Sequence, residues 1–438
     1  MLINVKQVRI KNNLYRIKTK KDNEFKKLIP KKYLFLRAKL TKSIVSFIII
    51  QIKEIKSTID AYKLSIINIS KNRKRFNYIK KYYSLEHVNP NKVINNNFMK
   101  YSAYKIPAIN LYIIDCSFIT TPMSIINYNE KLFFSEHDDF NVHVIPDELL
   151  DINLRRYCKT KKIRTLKECI GTLSYPSAMA ITSNLSNNYF HWIVDYLPRI
   201  ILFYQDKKNQ DIPLILSSSI HKNLIESITK FNSKIRIHLV DNFVGIKIKK
   251  QYYVSPVSTF IFDYRKKIFY KKYGSQIGYS LKFFRDFKKN YPKIKINSKF
   301  NKVFIVRNSS YRKITNQKKV IAALKKLGFL IIDFNSTPFI EQQVIFNSAS
   351  IIVSPIGATL ANMVFSNKNQ CIIALTSNHP DHVLTMFTNL SYASSMCKIH
   401  FFYGSKATFS IHDNYSIDTD LLSKEIENLP NFSMNKNS

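Results

Sequence analysis

The chain is short of acids, short of cysteine and without long apolar runs, and each shortage narrows what it can be. Its five cysteines, Cys116, Cys158, Cys169, Cys371 and Cys397, are odd in number, and no two have the spacing of metal ligands or of a redox pair. They read as reduced thiols, which points to a cytosolic compartment. The longest early apolar run, Ile44–Ile50, falls far short of the roughly 20 residues that cross a bilayer. The opening MLINVKQVRIKNN lacks the apolar core of a signal peptide. Together these predict a soluble or peripheral protein. Acids number 29 against 69 lysines and arginines, a formal charge of +40 over 438 residues. That charge suits nucleic acid, an acidic polymer or an anionic membrane surface. Lys, Asn and Ile are over-used in apparent core and loop alike, however, so a compositional bias explains the charge about equally well. The length suggests two domains with an extension, and 45% hydrophobic residues suffice for a full core.

The most informative stretch runs from Lys302 to Phe365. Two apolar runs, Val303–Val306 and Leu330–Ile332, bracket a helical pattern with Val320, Ile321, Leu324 and Leu327 on one face. Gly328 stops that helix. Thr337-Pro338 opens a second helix, with a capping hydroxyl and then a proline whose missing N–H costs nothing there. A third run, Ile351–Val353, enters the turn Ser354-Pro355-Ile356-Gly357, a short helix follows from about Ala358 to Phe365, and Cys371–Leu375 is a fourth strand. Alternating strands and helices with short links predict a parallel sheet with helices on both faces. Ligands of such sheets bind beyond the carboxyl ends of the strands. Arg307 and Arg312 leave the first strand there, two guanidinium forks suited to a diphosphate or carboxylate. After the third strand Gly357 allows backbone to approach a ligand, and the N–H groups of the next helix make an anion site.

Upstream the signals are weaker. Residues Met1 to about Lys105 are the most basic part, with a helical pattern from Leu34 to Ile69 and Ile44, Ile48, Ile52 and Ile55 aligned. Such a helix can lie on anionic lipid, although a packed helix with solvated lysines is slightly favoured. The runs Asn72–Arg75 and Lys80-Lys81 come with no nucleic-acid reading module. Leu111–Ile114, Lys131–Phe134 and Val142–Ile145 read as strands, with a hairpin turn at Asn127–Glu130. Asp138-Asp139 reads as a solvated turn rather than a metal site, and Asn153 to about Cys169 as a connector. Ala178–Thr182 is a strand, followed by SNNYFHWIVDYLPRIILFYQ. Here His191, Asp195 and Arg199 fall at successive i, i+4 steps. A histidine one turn from an aspartate can act as a base with its orienting partner; from spacing alone an intrahelical ion pair is favoured. Pro198 predicts a kink or an early helix end. Leu214–Leu216, Ile235–Val240 and Tyr252–Val254 are further strands around a helix at His221–Phe231, a second α/β unit. Lys266 to Pro292 bridges the two units. Ser394–Phe402 and Thr419–Leu429 read as a strand and a final helix, and Asp418-Thr419-Asp420 as a helix cap rather than a metal-binding Asp-x-Asp. The tail from Asn431 reads as disordered.

The blocks NYFHWIVDYLPRI, RNSSYRKITN and STPFIEQQVIFNSASIIVSPIGATLANMVF, in that order, resemble glycosyltransferase family 61, the group that includes bacterial capsular-polysaccharide enzymes. The resemblance covers about Ser183 to Leu375. It implies an α/β, GT-B-like architecture of two facing Rossmann-like domains: a basic extension at 1–105, an acceptor-side domain at 106–290 and a donor-nucleotide domain at 291–430. It implies inverting, metal-independent transfer from a nucleotide-sugar donor to a surface polysaccharide or lipid-linked glycan (capsule, lipopolysaccharide or exopolysaccharide). The setting would be cytoplasmic, with the inner membrane face as a peripheral surface. By resemblance, Arg307 and Arg312 hold the diphosphate, Glu341 sits beside the nucleoside, Gly357, Ala358 and Thr359 face the phosphates, and Asn362 shapes the pocket. His191 and Asp195 are candidates for the catalytic base. Glu341 reads equally as a carboxylate at the positive end of its helix. The family's usual His-Gly-Ala-Gly is Ile356-Gly357-Ala358-Thr359 here, and a glutamate usual after the last strand is replaced, Thr376 following Leu375. These departures keep a non-catalytic glycan- or nucleotide-binding relative as the alternative. A nucleic-acid-binding protein is the more remote one.

Overall fold

The computed structural model describes residues 63–67, 77–88, 104–121, 125–128, 131–134, 154–156, 162–165, 171–242, 244–259, 277–292, 300–309, 311–380, 382–407 and 410–429. All of them belong to one compact unit spanning Tyr62–Ser438. Asp138, Asp139, Val142–Ile145, Asn72–Arg75 and the tail from Asn431 lie outside the described residues, as does most of 1–105.

Two sheets organise the unit. The first is built around β1 (Ile109–Thr120), β2 (Gly171–Ile181), β3 (Leu214–Ser217), β4 (Ile237–Val240) and β5 (Val244–Val254). Its parallel block has the order β4-β3-β2-β5, and β1 pairs antiparallel with β5. Shorter strands, mostly antiparallel, extend it, including the expected hairpin of Ile125–Tyr128 with Lys131–Phe134. Two readings are corrected here. Lys63–Ile67, inside the stretch read as helical, is a strand paired with Lys131–Phe134. The stretch read as a connector holds strands Leu154–Arg156 and Lys162–Thr165, paired with each other. Lys162–Thr165 also pairs with Lys63–Ile67, so in both places a sheet neighbour distant in sequence contributes pairing that overrides a local pattern.

The second sheet is all parallel: β6 (Lys302–Val306), β7 (Leu330–Asp333), β8 (Ile351–Pro355), β9 (Cys371–Asn378) and β10 (Lys398–Lys406). Its order is β7-β6-β8-β9-β10. The central strands KVFIV, IIVSP and CIIALTSN are near-continuous apolar runs because helices cover both faces. The register aligns Val303 with Ile352, Ile352 with Ile372 and Ile372 with Ile399. In chain order this is the doubly wound 2-1-3-4-5 arrangement, whose connections diverge between β6 and β8.

The helices follow from local chemistry. After β2, helical segments Tyr189–His191, Trp192–Tyr196 and α1 (Leu197–Tyr204) run on without a break, the middle one π-helical. Pro198 does not end the helix. It falls in the first turn of α1, directly after the wider π turn, where its missing N–H is absorbed. Next comes α2 (Lys222–Phe231), capped by His221, and then α3 (Leu281–Asn290), capped by Ser280. The expected helix after β6 is α4 (Gln317–Lys326). Gly328, at φ +81°, closes it: Phe329 N–H donates to the Leu324 carbonyl at 3.0 Å and Gly328 N–H to Lys325 at 3.0 Å. Helix α5 (Phe339–Ser348) is not capped by Thr337, whose hydroxyl turns back to the Asp333 carbonyl at 2.8 Å. The cap comes from the other sheet's helix, as Phe339 N–H donates to the Glu226 carboxylate at 3.0 Å. Helix α6 (Thr385–Ser394) follows β9, and α7 (Thr419–Glu427) starts at Asp418, which accepts from the N–H groups of Asp420 and Leu421 as the capping reading expects.

One buried apolar cluster joins the two sheets. It holds Met179, Ile181, Leu214 and Leu216 of the first sheet, Trp192, Leu197 and Ile200 of the helix after β2, and Val303, Ile305, Ile352 and Ile372 of the second. A second cluster lies on the outer face of the second sheet, where Val320 and Leu324 of α4 and Leu422 and Ile426 of α7 pack on Phe304, Val353 and Ile373. Each fully buried Val, Leu, Ile or Phe contributes about 1.5–3 kcal/mol. The shared cluster therefore holds the carboxyl ends of β2 and β6–β9 in a fixed relation.

Candidate functional site

At the end of β6 the Arg307 side chain bends onto the turn after β8. Its Nη1 donates to the Ile356 carbonyl at 2.8 Å and its Nε to Ser309 Oγ at 2.8 Å. These are the two strands between which the sheet's winding reverses, the place where doubly wound sheets bind ligands. Gly357 is extended at φ 167°, so its backbone suits any residue. What it needs is space: a Cβ there would meet Arg307 Nη1 at 2.8 Å. Ile356 is buried in the apolar core, 4% exposed, so only its backbone takes part.

Arg312 stands beside this contact. It is held in the left-handed region at φ +53°, unusual for a residue with a side chain. Its N–H donates to the His412 carbonyl at 3.0 Å, and Lys313 N–H to Asn414 Oδ1 at 2.8 Å. Both guanidinium groups pack on one ring: Arg307 Cζ lies 5.2 Å and Arg312 Cζ 5.3 Å from the Tyr311 centroid. Tyr311 is 47% exposed and meets His412 edge-on at 5.6 Å. Burial, and then the charge of Arg312, lower the pKa of Arg307. Among the described residues no carboxylate pairs with either arginine, and Arg312 Nε is buried without a hydrogen-bond partner. Two adjacent, partly buried cations without a counter-charge raise the energy of the empty site, and a bound anion relieves it. Tyr415 closes the far side, buried and donating to the Leu375 carbonyl at 2.9 Å.

The segment after the bend, Ala358–Phe365, has the expected bounds but is a 3-10 helix. Its first hydrogen bond runs from Leu360 N–H to the Gly357 carbonyl at 3.1 Å. The N–H groups of Ala358 and Thr359 precede that bond, and both residues are partly exposed. They lie on the same bend as Arg307, which is the combination expected of an anion site.

The other half of the site is the turn after β2. His191 Nδ1 lies 2.9 Å from Asp195 Oδ2, with the two side chains 20% and 14% exposed. The π-helical turn Trp192–Tyr196 starts directly after His191 and contains Asp195. Arg199 does not join the pair as its spacing suggested. It is buried, donates through Nε to the Val254 carbonyl at 2.7 Å, and packs on the Tyr253 ring at 5.0 Å. Fully buried Tyr279 lies near Asp195: its hydroxyl pKa is raised by burial first and then by that carboxylate.

Tyr189 Oη donates to Asn362 Oδ1 at 2.7 Å, which ties the His191 turn to the Gly357 bend. Thus Arg307, Arg312, Gly357, Ala358 and Thr359 come together, and His191 and Asp195 form a pair joined to them through Tyr189. Asn362 is fully buried within this link. Glu341 is exposed in the first turn of α5 and forms no ion pair with either arginine. Tyr311, Tyr415, His412, Tyr189 and Glu226 escaped the sequence reading; only Tyr311 and Tyr189 lie within the blocks it singled out. Among the described residues no group of three or more His, Cys, Asp or Glu is placed to hold a metal ion.

Residues 189–373 match the family model of Glycosyltransferase 61. Over these residues the chain is similar to glycosyltransferase family 61. The match opens on Tyr189, runs through Arg307, Arg312 and the Gly357 bend, and ends in β9. No curated protein gives a significant match to the chain. The mixed α/β fold with its parallel sheets fits a Rossmann-like glycosyltransferase. The match suggests transferase activity, and that family in general implies a nucleotide-sugar donor and a glycan acceptor.

Proposed function

We propose that the protein is an inverting glycosyltransferase that works in a GT-B-like arrangement, with the donor nucleotide on the second sheet and the acceptor on the first. The observation that carries this reading is the Arg307 contact at the Ile356-Gly357 bend, with Arg312 beside it and, among the described residues, no carboxylate on either. The donor diphosphate lies against the two guanidinium groups and the N–H groups of Ala358 and Thr359. There the growing negative charge of the leaving group is stabilised. His191, with its Nδ1 hydrogen on Asp195, has its lone pair on Nε2 and takes the acceptor hydroxyl proton. The acceptor oxygen bonds to the anomeric carbon, the carbon–oxygen bond to the diphosphate breaks, and the electron pair leaves with the phosphate. Arginines and N–H groups neutralise this charge, so the reaction needs no metal. The acceptor is a surface polysaccharide or lipid-linked glycan of the capsule, lipopolysaccharide or exopolysaccharide type. The work takes place in the cytoplasm, at the inner membrane face.

Turnover of purified protein with a panel of sugar nucleotides, with and without chelator, tests this. Product formation indifferent to chelator and lost in Arg307→Ala is expected. Strict dependence on added divalent metal contradicts the mechanism. A second reading, a relative that binds without turning over, is favoured by one feature: Ile356 fills with a buried apolar side chain the position that usually carries the family's histidine. Calorimetric binding of nucleotide sugars without product over long incubation would decide for it.

A further inference from the structure

Asn362 lies between the two halves of the site, yet at 0% exposure it cannot touch a donor. Its amide makes three hydrogen bonds. Oδ1 accepts from Tyr189 Oη at 2.7 Å, and Nδ2 donates to Gln342 Oε1 at 3.3 Å and to the Thr359 carbonyl at 3.1 Å. Gln342, also buried, anchors the far end: its Nε2 donates to the carbonyls of Phe334 at 3.2 Å and Thr337 at 2.9 Å. Asn223 of α2 donates to the same Thr337 carbonyl at 3.1 Å. Turning the Asn362 amide over would set its oxygen against two acceptor oxygens, Gln342 Oε1 and the Thr359 carbonyl. A buried network with each of these groups matched has one low-energy arrangement. Its ends are informative. Tyr189 lies two residues before His191 in the same helical stretch, and Thr359 carries one of the N–H groups of the bend.

We infer that Tyr189, Asn362 and Gln342 are positioning residues that hold the His191–Asp195 pair in register with the Ala358–Thr359 N–H groups, so that an anion arriving at the bend is felt at His191. This rests on the proposed anion site and deepens it: the network orders the acceptor-side base when the donor diphosphate is seated.

The test uses full-length protein, inorganic pyrophosphate as probe, titration calorimetry for affinity and nitrogen NMR of the His191 ring as reporter. In the wild type, pyrophosphate binds, depends on Arg307 and shifts the His191 ring signals. Tyr189→Phe removes one hydroxyl. It is expected to leave pyrophosphate affinity unchanged, to abolish the His191 shift, and to lower kcat about tenfold at unchanged donor KM, the loss of one hydrogen bond felt only at the reacting geometry. Gln342→Met, at the other end of the network, is expected to do the same and serves should Tyr189→Phe fold poorly. A His191 shift of wild-type size in these variants overturns the inference and leaves the anion site standing. So does loss of pyrophosphate binding in them, since the network would then merely build the bend. Wild-type protein that ignores pyrophosphate, or binds it equally well as Arg307→Ala, removes the anion site and this inference with it.

Discussion

Gly357→Ala isolates one contact with little collateral change. The residue is extended, so an alanine adopts its backbone without strain. The new methyl nevertheless lands 2.8 Å from Arg307 Nη1, closer than a carbon and a nitrogen can stand. The guanidinium is the far end of a flexible chain and swings away, breaking its 2.8 Å bond to the Ile356 carbonyl. A hydrogen bond from a charged group contributes about 1.5–3 kcal/mol. Misplacing the guanidinium should cost the bound anion a similar amount, roughly 10- to 100-fold in affinity at about 1.4 kcal/mol per tenfold. Stability should hardly move, because the freed arginine reaches water and replacing glycine gains about 0.4–1 kcal/mol from the unfolded chain. Calorimetric titration with pyrophosphate and urea unfolding read the two effects separately. Gly171→Ala, where nothing lies within 4 Å of the added carbon, is the control. Pyrophosphate binding by Gly357→Ala equal to that of the control would refute the reasoning.

Other consequences are as direct. Pyrophosphate should stabilise the wild type by about 2.7 kcal/mol at a hundred times its Kd, because the ligand binds only the folded site, and so raise its unfolding midpoint; an unmoved midpoint argues against the site. Asp195→Asn should cut transfer by about 100-fold or more through loss of base orientation, while the partly exposed His191–Asp195 pair leaves stability within about 1 kcal/mol, a contrast checked by kcat against urea midpoint. Glu226→Ala removes the cap on α5 and should destabilise by about 1–2 kcal/mol, read as a lower urea midpoint. Cys371, its thiol pushed up to about 12 by burial first, and buried Cys397 should resist a maleimide at pH 7–8 until unfolding, whereas exposed Cys116 reacts; mass spectrometry of labelled peptides checks this.

The second sheet was legible because its information is local. Apolar runs such as IIVSP, the helix ended by Gly328 and the Ser354–Gly357 turn are each written in consecutive residues. The strand-end positions of Arg307 and Gly357 followed from that alternation. What escaped depends on residues far apart in the chain. The cap of α5 comes from Glu226, 113 residues away. The Tyr311 loop is fixed by His412, Asn414 and Tyr415. Tyr189 reaches Asn362 across 173 residues. Arg199 was misread because a helical i, i+4 rule cannot foresee the π turn after His191, nor the Val254 carbonyl that takes its Nε. Lys63–Ile67 was misread because its partner strand lies more than sixty residues on.

A crystal structure of the protein soaked with a nucleoside diphosphate puts the central claim to its shortest test. The account predicts phosphate oxygens within hydrogen-bond distance of Arg307, Arg312 and the N–H groups of Ala358 and Thr359. Phosphates bound elsewhere, with the bend unoccupied, would contradict it.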